Sequence, residues 1–232
     1  MFYFDYTYFL VLIGAVICMI ASANVKSTYN KYASVRSMTG MTGAQVAERL
    51  LRAAGIHDVS VGRVRGELSD HYNPATKVVN LSDSVYGSTS VAAIGVAAHE
   101  CGHAIQHAHG YIPLNLRSAF VPVANFGSKL AWPLILIGVL IHSQSSQLMI
   151  NAGIILFSFA VIFQLITLPV EFNASRRPLI LLEQQGILSS QELPLPKKVL
   201  GAAALTYVAG AASAILQLLR IIILFGGRRN DD

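Results

Sequence analysis

Charged residues are scarce in this chain. Asp, Glu, Lys and Arg make up 12% of its 232 residues, which is about half of their share in an average soluble domain. So few charges cannot cover the surface of a soluble globular protein of this size. They also exclude a disordered chain, which would be polar and rich in charge. The two cysteines, Cys18 and Cys101, are too few for a disulfide scaffold. The composition therefore indicates a membrane protein.

The apolar residues lie in four long stretches, and a transmembrane helix needs about 20 such residues. These stretches run approximately from Tyr6 to Ala23, Phe120 to Ile141, Leu148 to Val170 and Val199 to Phe225. The first has no Lys or Arg before it, unlike a signal peptide, so we interpret it as a retained anchor. The fourth contains Arg220 and is predicted either to span the membrane or to fold back at its surface.

The distribution of basic residues predicts how the chain is oriented, because basic loops are retained in the cytoplasm. Ten Lys or Arg residues lie in 24–129 and four in 171–198, whereas the N-terminus and the link His142–Gln147 have none. We therefore expect the N-terminus and this link outside the cell and both basic regions in the cytoplasm. Arg228 and Arg229 depart from the pattern if the fourth stretch spans the membrane.

The polar region 24–118 has the size and pattern of one small domain. Thr42 and Gln45 form a capping-box pattern, which predicts the start of a helix that ends at Gly55. Two segments with partial alternation of apolar residues predict short strands, Val59–Val64 and Lys77–Leu81.

The sequence His99-Glu100-Cys-Gly-His103 carries the clearest chemical signal. It follows Ser88, Thr89 and Ser90, which are candidates for a helix N-cap. On a helix the two histidines project from one face and can bind one zinc ion, and Glu100 can take a proton from a zinc-bound water. This pattern arises by chance about once in a hundred chains of this length, so we interpret it as a catalytic zinc motif.

A catalytic zinc ion needs a third protein ligand, and the sequence offers few candidates. The metzincin continuation is absent after the second histidine. His107 lies one turn further along the same face and would reach the metal only if the helix bent, and His109 follows the expected helix end. Glu171 closes the third apolar stretch, where it is either a ligand or a solvated charge paired with Arg176 or Arg177.

Several motifs together resemble a known family. They are the N-terminal anchor, Gly55-Ile-His-Asp-Val59, Asp70-His-Tyr-Asn-Pro74, His99-Glu-Cys-Gly-His103 and Glu171-Phe-Asn-Ala-Ser-Arg-Arg177. With these motifs the chain resembles the YugP-type bacterial neutral zinc metallopeptidases, which are membrane-bound gluzincins similar to the HtpX-type proteases. The resemblance implies one Zn²⁺ ion on His99, His103 and Glu171, with Glu100 as general base and later acid. In the wider class an Asp that supports a histidine often stands where this chain has Ser175.

The predicted fold is α+β, mainly helical, with three to four transmembrane helices and a small gluzincin-like zinc metallopeptidase domain. We expect residues 1–23 to form a transmembrane anchor and residues 24–118 to form the cytoplasmic metallopeptidase domain. The remaining predicted segments are a transmembrane hairpin at 119–170, a cytoplasmic segment with the third zinc ligand at 171–198, and a C-terminal hydrophobic helix and tail at 199–232.

The predicted function is a membrane-bound zinc endopeptidase in the bacterial plasma membrane, with its active site facing the cytoplasm. Its expected partners are peptide or membrane-protein substrates and the lipid bilayer. Nucleic acid is not an expected partner, because the chain lacks the clustered basic residues that bind it. The alternative is a non-catalytic zinc-binding membrane scaffold or quality-control adaptor. An intramembrane protease with this motif would need an Asp in a second membrane span as its third zinc ligand, but no Asp stands between Asp83 and Asp231. A transporter is disfavoured because the apolar stretches hold almost no ionisable residue. The candidates for stabilising the oxyanion, left unranked, are His71, Tyr72, Arg176 and Arg177.

Overall fold

A computed structural model of the protein describes residues 5–141 and 145–226. Within these residues the chain forms seven helices and three strands. The helices are α1 (Tyr8–Ala33), α2 (Gly43–Ala53), α3 (Asp83–Tyr86), α4 (Val91–Ala108), α5 (Ile112–Leu140), α6 (Ser145–Gln184) and α7 (Pro194–Phe225). The strands are β1 (Ser60–Val64), β2 (His71–Asn73) and β3 (Val78–Ser82). The predicted α+β and mainly helical fold class is confirmed.

Four helices, α1, α5, α6 and α7, are long and apolar enough to cross a membrane. Each covers one of the apolar stretches seen in the sequence, so the prediction of a helical membrane protein is confirmed. The fourth stretch, whose conformation the sequence left open, forms one continuous helix of 32 residues. Residues 142–144 of the predicted external link, and Arg228 and Arg229, lie outside the described residues.

Each of these helices extends beyond the apolar stretch that predicted it. Helix α6 continues past Val170 to Gln184 and passes through Pro169 and Pro178. A proline inside a helix removes one backbone hydrogen bond without necessarily ending the helix. Helix α5 likewise begins at Ile112, before the predicted start of its apolar stretch. Glu171 and the polar residues after it therefore continue the helix that contains the third apolar stretch.

The described chain divides into two compact units. The helical unit comprises the described residues of Met1–Ala21, Leu116–Leu168 and Thr206–Asp232. The α+β unit comprises Ser22–Asn115 and Pro169–Leu205.

In the α+β unit, a three-stranded sheet packs with α2 and α4 around one apolar core. The strand order is β1-β3-β2, with β1 parallel and β2 antiparallel to the central β3. Val79 and Leu81 of β3 are fully buried and join Leu50 of α2 and Ile94 of α4 in this core. Strand β2 was not predicted from the sequence, and it forms one edge of the sheet.

The boundaries of α2 follow the capping signals in its sequence. The Thr42 hydroxyl accepts a hydrogen bond from the N–H of Gln45, and the Gln45 side chain accepts one from the N–H of Thr42. Gly55 follows the helix with a φ of +74°, a left-handed conformation that glycine adopts without strain. The predicted start and end of this helix are thus confirmed, and α2 presents Val46, Leu50 and Leu51 to the core.

In the helical unit, Arg220 introduces a charge into the otherwise apolar α7. Its guanidinium donates hydrogen bonds to Asp5 Oδ2 at 3.1 Å and to Thr7 Oγ1 at 3.2 Å. It also lies 4.2 Å from the centre of the Tyr8 ring. A charge in a membrane helix is costly unless it has a partner, and Asp5 and Tyr8 supply that partner at the beginning of α1.

Glu192 joins two segments of the α+β unit that are distant in sequence. Its Oε1 accepts a hydrogen bond from the N–H of Met38 at 2.8 Å, and its Oε2 accepts from the N–H and hydroxyl of Ser189. Burial by itself would raise the pKa of Glu192, but these hydrogen bonds outweigh it and hold the pKa below the ordinary value of 4.5. The ionised form is therefore the one that stabilises the fold.

We expect Glu192→Gln to lower the melting temperature by about 3 °C or more near neutral pH, because the variant loses the charge and one acceptor. The stabilisation from a carboxylate with a lowered pKa is present above the unfolded-state pKa and is lost as the pH falls through the folded-state pKa. The difference from the parent protein should therefore shrink below about pH 4. Melting curves across this range test the prediction, with Glu183→Gln, an exposed carboxylate, as control. A constant difference at all pH values would contradict it.

Candidate metal centre

Helix α4 carries the histidine motif, and its local sequence explains where the helix begins. The Ser90 hydroxyl accepts a hydrogen bond from the N–H of Ala93, so Ser90 is the N-cap among the three predicted candidates. The helix continues to Ala108 and places His99 and His103 one turn apart. Their ring centres are 4.8 Å apart with the rings edge to face. Both imidazoles therefore project from one side of the helix, as the spacing predicted.

Glu171 of α6 lies against these two rings. Its side chain is almost completely buried, and its Oε2 is 3.3 Å from His99 Nε2 and 3.6 Å from His103 Nε2. Potential ligand atoms of the three residues all lie within 4.8 Å of one another. The structure thus brings together the three residues that the sequence analysis named as metal ligands.

The donor set fits a zinc ion. Two imidazole nitrogens and one carboxylate oxygen are a known set for catalytic zinc, which keeps a fourth position open. Ligand atoms about 2.05 Å from a tetrahedral zinc ion are about 3.3 Å apart. The separations of Glu171 Oε2 from the two histidine nitrogens, 3.3 and 3.6 Å, are close to this value. The residues can therefore hold the ion with little rearrangement.

Gly102 allows the two ligand-bearing helices to approach each other. A Cβ atom at this position would lie 2.0 Å from the carbonyl oxygen of Ala174 and 2.9 Å from its Cα. The backbone of α6 therefore occupies the space that any other side chain would need. The neighbour of Gly102 in this close packing is thus the helix with Glu171.

Cys101, within the same motif, faces α2. Its thiol is fully buried and donates a weak hydrogen bond to the carbonyl oxygen of Ala47 in α2. Burial, with a smaller contribution from the charge of Glu100, raises the pKa of the Cys101 thiol far above its ordinary value. Since a metal ligand must be the thiolate, Cys101 is a core residue rather than a fourth ligand.

Gln106 orients the ring of His103 and was missed by the sequence analysis. Its amide nitrogen donates to the carbonyl oxygen of Val170 at 2.8 Å and to Asn173 Oδ1 at 3.0 Å. Its Oε1 therefore faces His103 Nδ1, 3.1 Å away, and that nitrogen must carry the proton. His103 Nε2 is left with a lone pair on the side of Glu171. The available signal was a glutamine three residues after His103 on the same helix face.

Ser175 occupies the position where the wider class often has a supporting Asp. Its hydroxyl lies 3.0 Å from Nδ1 of His99. A hydroxyl can accept the proton of Nδ1–H, which directs His99 Nε2 toward the metal position. A neutral hydroxyl thus supports His99 where the wider class often has an Asp. In the same way, a neutral amide oxygen supports His103.

Glu100 is mostly buried beside the ligands, with 8% of its surface exposed. Its Oε2 accepts a hydrogen bond of 2.9 Å from the backbone N–H of Tyr72 in β2. The Tyr72 hydroxyl lies 2.8 Å from Nδ1 of His107, which is exposed and is not part of the three-residue cluster. The edge strand β2 therefore lies beside α4 and orients the carboxylate that the motif assigns as the base.

The other candidates from the sequence have different contacts. His71 is near Ser69 and Asn80 through its two ring nitrogens. Arg177 lies over the ring of Tyr111, 5.7 Å from its centre. Among the unranked oxyanion candidates, Tyr72 is the one that the described structure places in contact with Glu100.

Two comparisons with known proteins give a match over most of the chain. A family model described as "Putative neutral zinc metallopeptidase" matches residues 7–226. The chain is 48% identical over 212 residues to the "Putative membrane protease YugP" of Bacillus subtilis (strain 168). The match covers 91% of this chain and 93% of that protein. No solved structure matches the chain significantly.

We expect Gly102→Ala to lower both stability and zinc content, because a backbone carbonyl in a helix cannot move aside for the new methyl group. Overpacking of this kind costs about 1–3 kcal/mol or more. Melting curves and metal analysis of the purified protein test this. Gly201→Ala is the matched control, since a Cβ at this helical glycine meets no atom of the described residues within 4 Å. Equal stability and zinc content in the two variants would show that the approach of α4 and α6 does not require Gly102.

Removing the groups that hold the histidines should weaken zinc binding while all three ligands remain. We expect about 10-fold to 100-fold weaker binding for Gln106→Ala and for Ser175→Ala. Competition with a chromogenic zinc chelator measures the affinity, and Gln191→Ala and Ser190→Ala, at exposed positions, serve as controls. Unchanged affinity in both test variants would mean that the imidazoles are oriented by packing alone.

Proposed function

The chain belongs to the neutral zinc metallopeptidase family, and on this premise we propose that it is a membrane-bound zinc endopeptidase. The observation that carries the proposal is the grouping of His99, His103 and Glu171 around one position, with Glu100 held next to it. A structural or scaffolding zinc site needs ligands but has no use for an oriented carboxylate beside them. Glu100 is the feature that favours catalysis.

Each residue of the site has a separate task in the proposed reaction. His99, His103 and Glu171 would hold the zinc ion, which supplies Lewis-acid polarisation of the scissile carbonyl and makes water more acidic. Glu100 accepts the proton of the attacking water and delivers it to the nitrogen of the leaving amine. The N–H of Tyr72 fixes one oxygen of Glu100, so the carboxylate keeps its orientation between the two proton transfers.

The edge strand β2 supports a peptide as the substrate. The strand order β1-β3-β2 leaves one side of β2 without a partner strand in the described sheet. Extended peptides bind at such edges through main-chain hydrogen bonds. Because Tyr72 of β2 contacts Glu100, a peptide beside this strand would run close to the proton-accepting group.

We further propose that the active site faces the cytoplasm of a bacterial cell and acts on peptides or segments of membrane proteins. This placement rests on the basic residues near the ends of the membrane helices, including Lys26 and Lys31 in α1 and Lys197 and Lys198 in α7. Such residues are retained on the cytoplasmic side.

The decisive experiment is Glu100→Gln. The variant should bind zinc as the parent does, because none of the three ligands changes, but peptide hydrolysis should fall by roughly a thousandfold because the proton acceptor is lost. Hydrolysis of a quenched fluorescent peptide library by the full chain in detergent, together with metal analysis, measures both properties. Glu48→Gln is the control, since Glu48 is exposed and pairs with Arg52.

The possible results separate the two candidate functions. Parent-like hydrolysis by the Glu100→Gln protein would remove Glu100 from the mechanism. If the zinc-loaded parent protein hydrolysed peptides no faster than the Glu100→Gln variant, this result would instead favour the non-catalytic zinc-binding scaffold.

A further inference from the structure

A cavity of about 450 Å³ opens in the α+β unit, between the second half of α1 and the start of α7. None of the proposed zinc ligands or Glu100 lines it. Its lining residues are Asn24, Ser27, Thr28, Lys31, Tyr32, Lys198, Ala202 and Leu205.

The polar part of this cavity is suited to an anion. Lys31 and Lys198 are both exposed, and no Asp or Glu of the described residues lines the cavity. Among the described residues, no carboxylate lies within ion-pair distance of either ammonium group. The Lys31 ammonium lies 5.7 Å from the centre of the buried Tyr32 ring, a cation–π distance that keeps this side chain at the cavity.

Neutral hydrogen-bond donors complete the polar part. Ser27 contributes a hydroxyl, and Asn24 contributes a side-chain amide. The Thr28 hydroxyl donates to Asn24 Oδ1 at 3.5 Å, which leaves the NH₂ group of Asn24 as a donor for a ligand. Two cations with hydroxyl and amide donors match the several acceptor oxygens of a phosphate group.

The position of the cavity along both helices distinguishes a lipid from a soluble anion. Asn24 directly follows the apolar stretch of α1, and Lys198 directly precedes the apolar stretch of α7. Both therefore stand where a membrane helix leaves the hydrocarbon and enters the headgroup region. Ala202 and Leu205 make the other end of the cavity apolar, and Leu205 is 52% exposed. A ligand that matches both ends has an anionic head and a hydrocarbon tail.

We propose that this cavity binds the headgroup of an anionic phospholipid. The lipid phosphate lies between the ammonium groups of Lys31 and Lys198 and accepts hydrogen bonds from the donors on α1. The acyl chains follow Ala202 and Leu205 toward the hydrocarbon. Basic pockets between membrane helices on the cytoplasmic side are known to take such headgroups, and one lipid here would bridge the first and last membrane helices.

The test is a titration of the full-length protein, in an uncharged detergent, with fluorescently labelled phosphatidylglycerol. Labelled phosphatidylcholine has the same phosphate without net charge and should bind at least about fivefold more weakly. The double variant Lys31→Gln/Lys198→Gln should bind phosphatidylglycerol about twenty-five-fold more weakly, since each exposed ion pair with the lipid phosphate accounts for about fivefold. Inorganic phosphate at millimolar concentration should leave lipid binding unchanged.

The matched control is Lys26→Gln/Lys197→Gln, which changes the net charge equally on the same two helices but alters no residue that lines the cavity. It should bind phosphatidylglycerol within about twofold of the parent protein. Equal losses in both double variants would mean that only the general positive charge attracts the lipid, and would overturn the proposal. Parent-like binding by Lys31→Gln/Lys198→Gln would overturn it too, as would equal affinity for phosphatidylcholine. Displacement of the lipid by inorganic phosphate would assign the cavity to a soluble anion instead. Melting curves of both variants show that each is folded.

Discussion

The close approach of α4 and α6 at Gly102 is the constraint on which the metal centre depends. The proposed ligands come from two helices, so the separation of their backbones decides whether Glu171 reaches His99 and His103. Without a side chain at position 102, the Ala174 carbonyl can lie where a Cβ would be. The same approach places Ser175 beside His99 and Gln106 beside Val170. The absence of a side chain at position 102 thus allows both the ligands and the groups that orient them to come together.

The electrostatics of the centre are simple because the supporting groups are neutral. His99 contacts a hydroxyl and His103 contacts an amide oxygen, so Glu171 is the anionic member of the donor set. A carboxylate partner would make a ligand histidine more basic, whereas a hydroxyl or an amide orients the ring with little added charge. Glu100 is likewise held by a backbone N–H rather than by a cation. The structure therefore holds His99, His103 and Glu100 in position through neutral groups.

The sequence predicted those helices whose ends and faces are determined by residues close together in the chain. Ser90, the spacing of His99 and His103, and the pair Thr42 and Gln45 act within one helical turn, and the corresponding helices are present. Strand β2 has three residues, too few for an alternating pattern to be recognised. The extension of α6 past Val170 was also missed, because its apolar pattern ends there and two prolines favour a helix end.

The sequence by itself determined that this is a mainly helical membrane protein and that His99, Glu100 and His103 share a helical turn. Composition and a spacing of four residues carry that information, because they act through helix geometry and hydrophobicity alone. Only the tertiary structure decided between Glu171 as a neighbour of the two histidines and Glu171 as a solvated charge at a helix end. It also decided the proton position on His103 and the contact of Tyr72 with Glu100. These contacts join residues far apart in the chain, and they form only when the helices and the edge strand pack together.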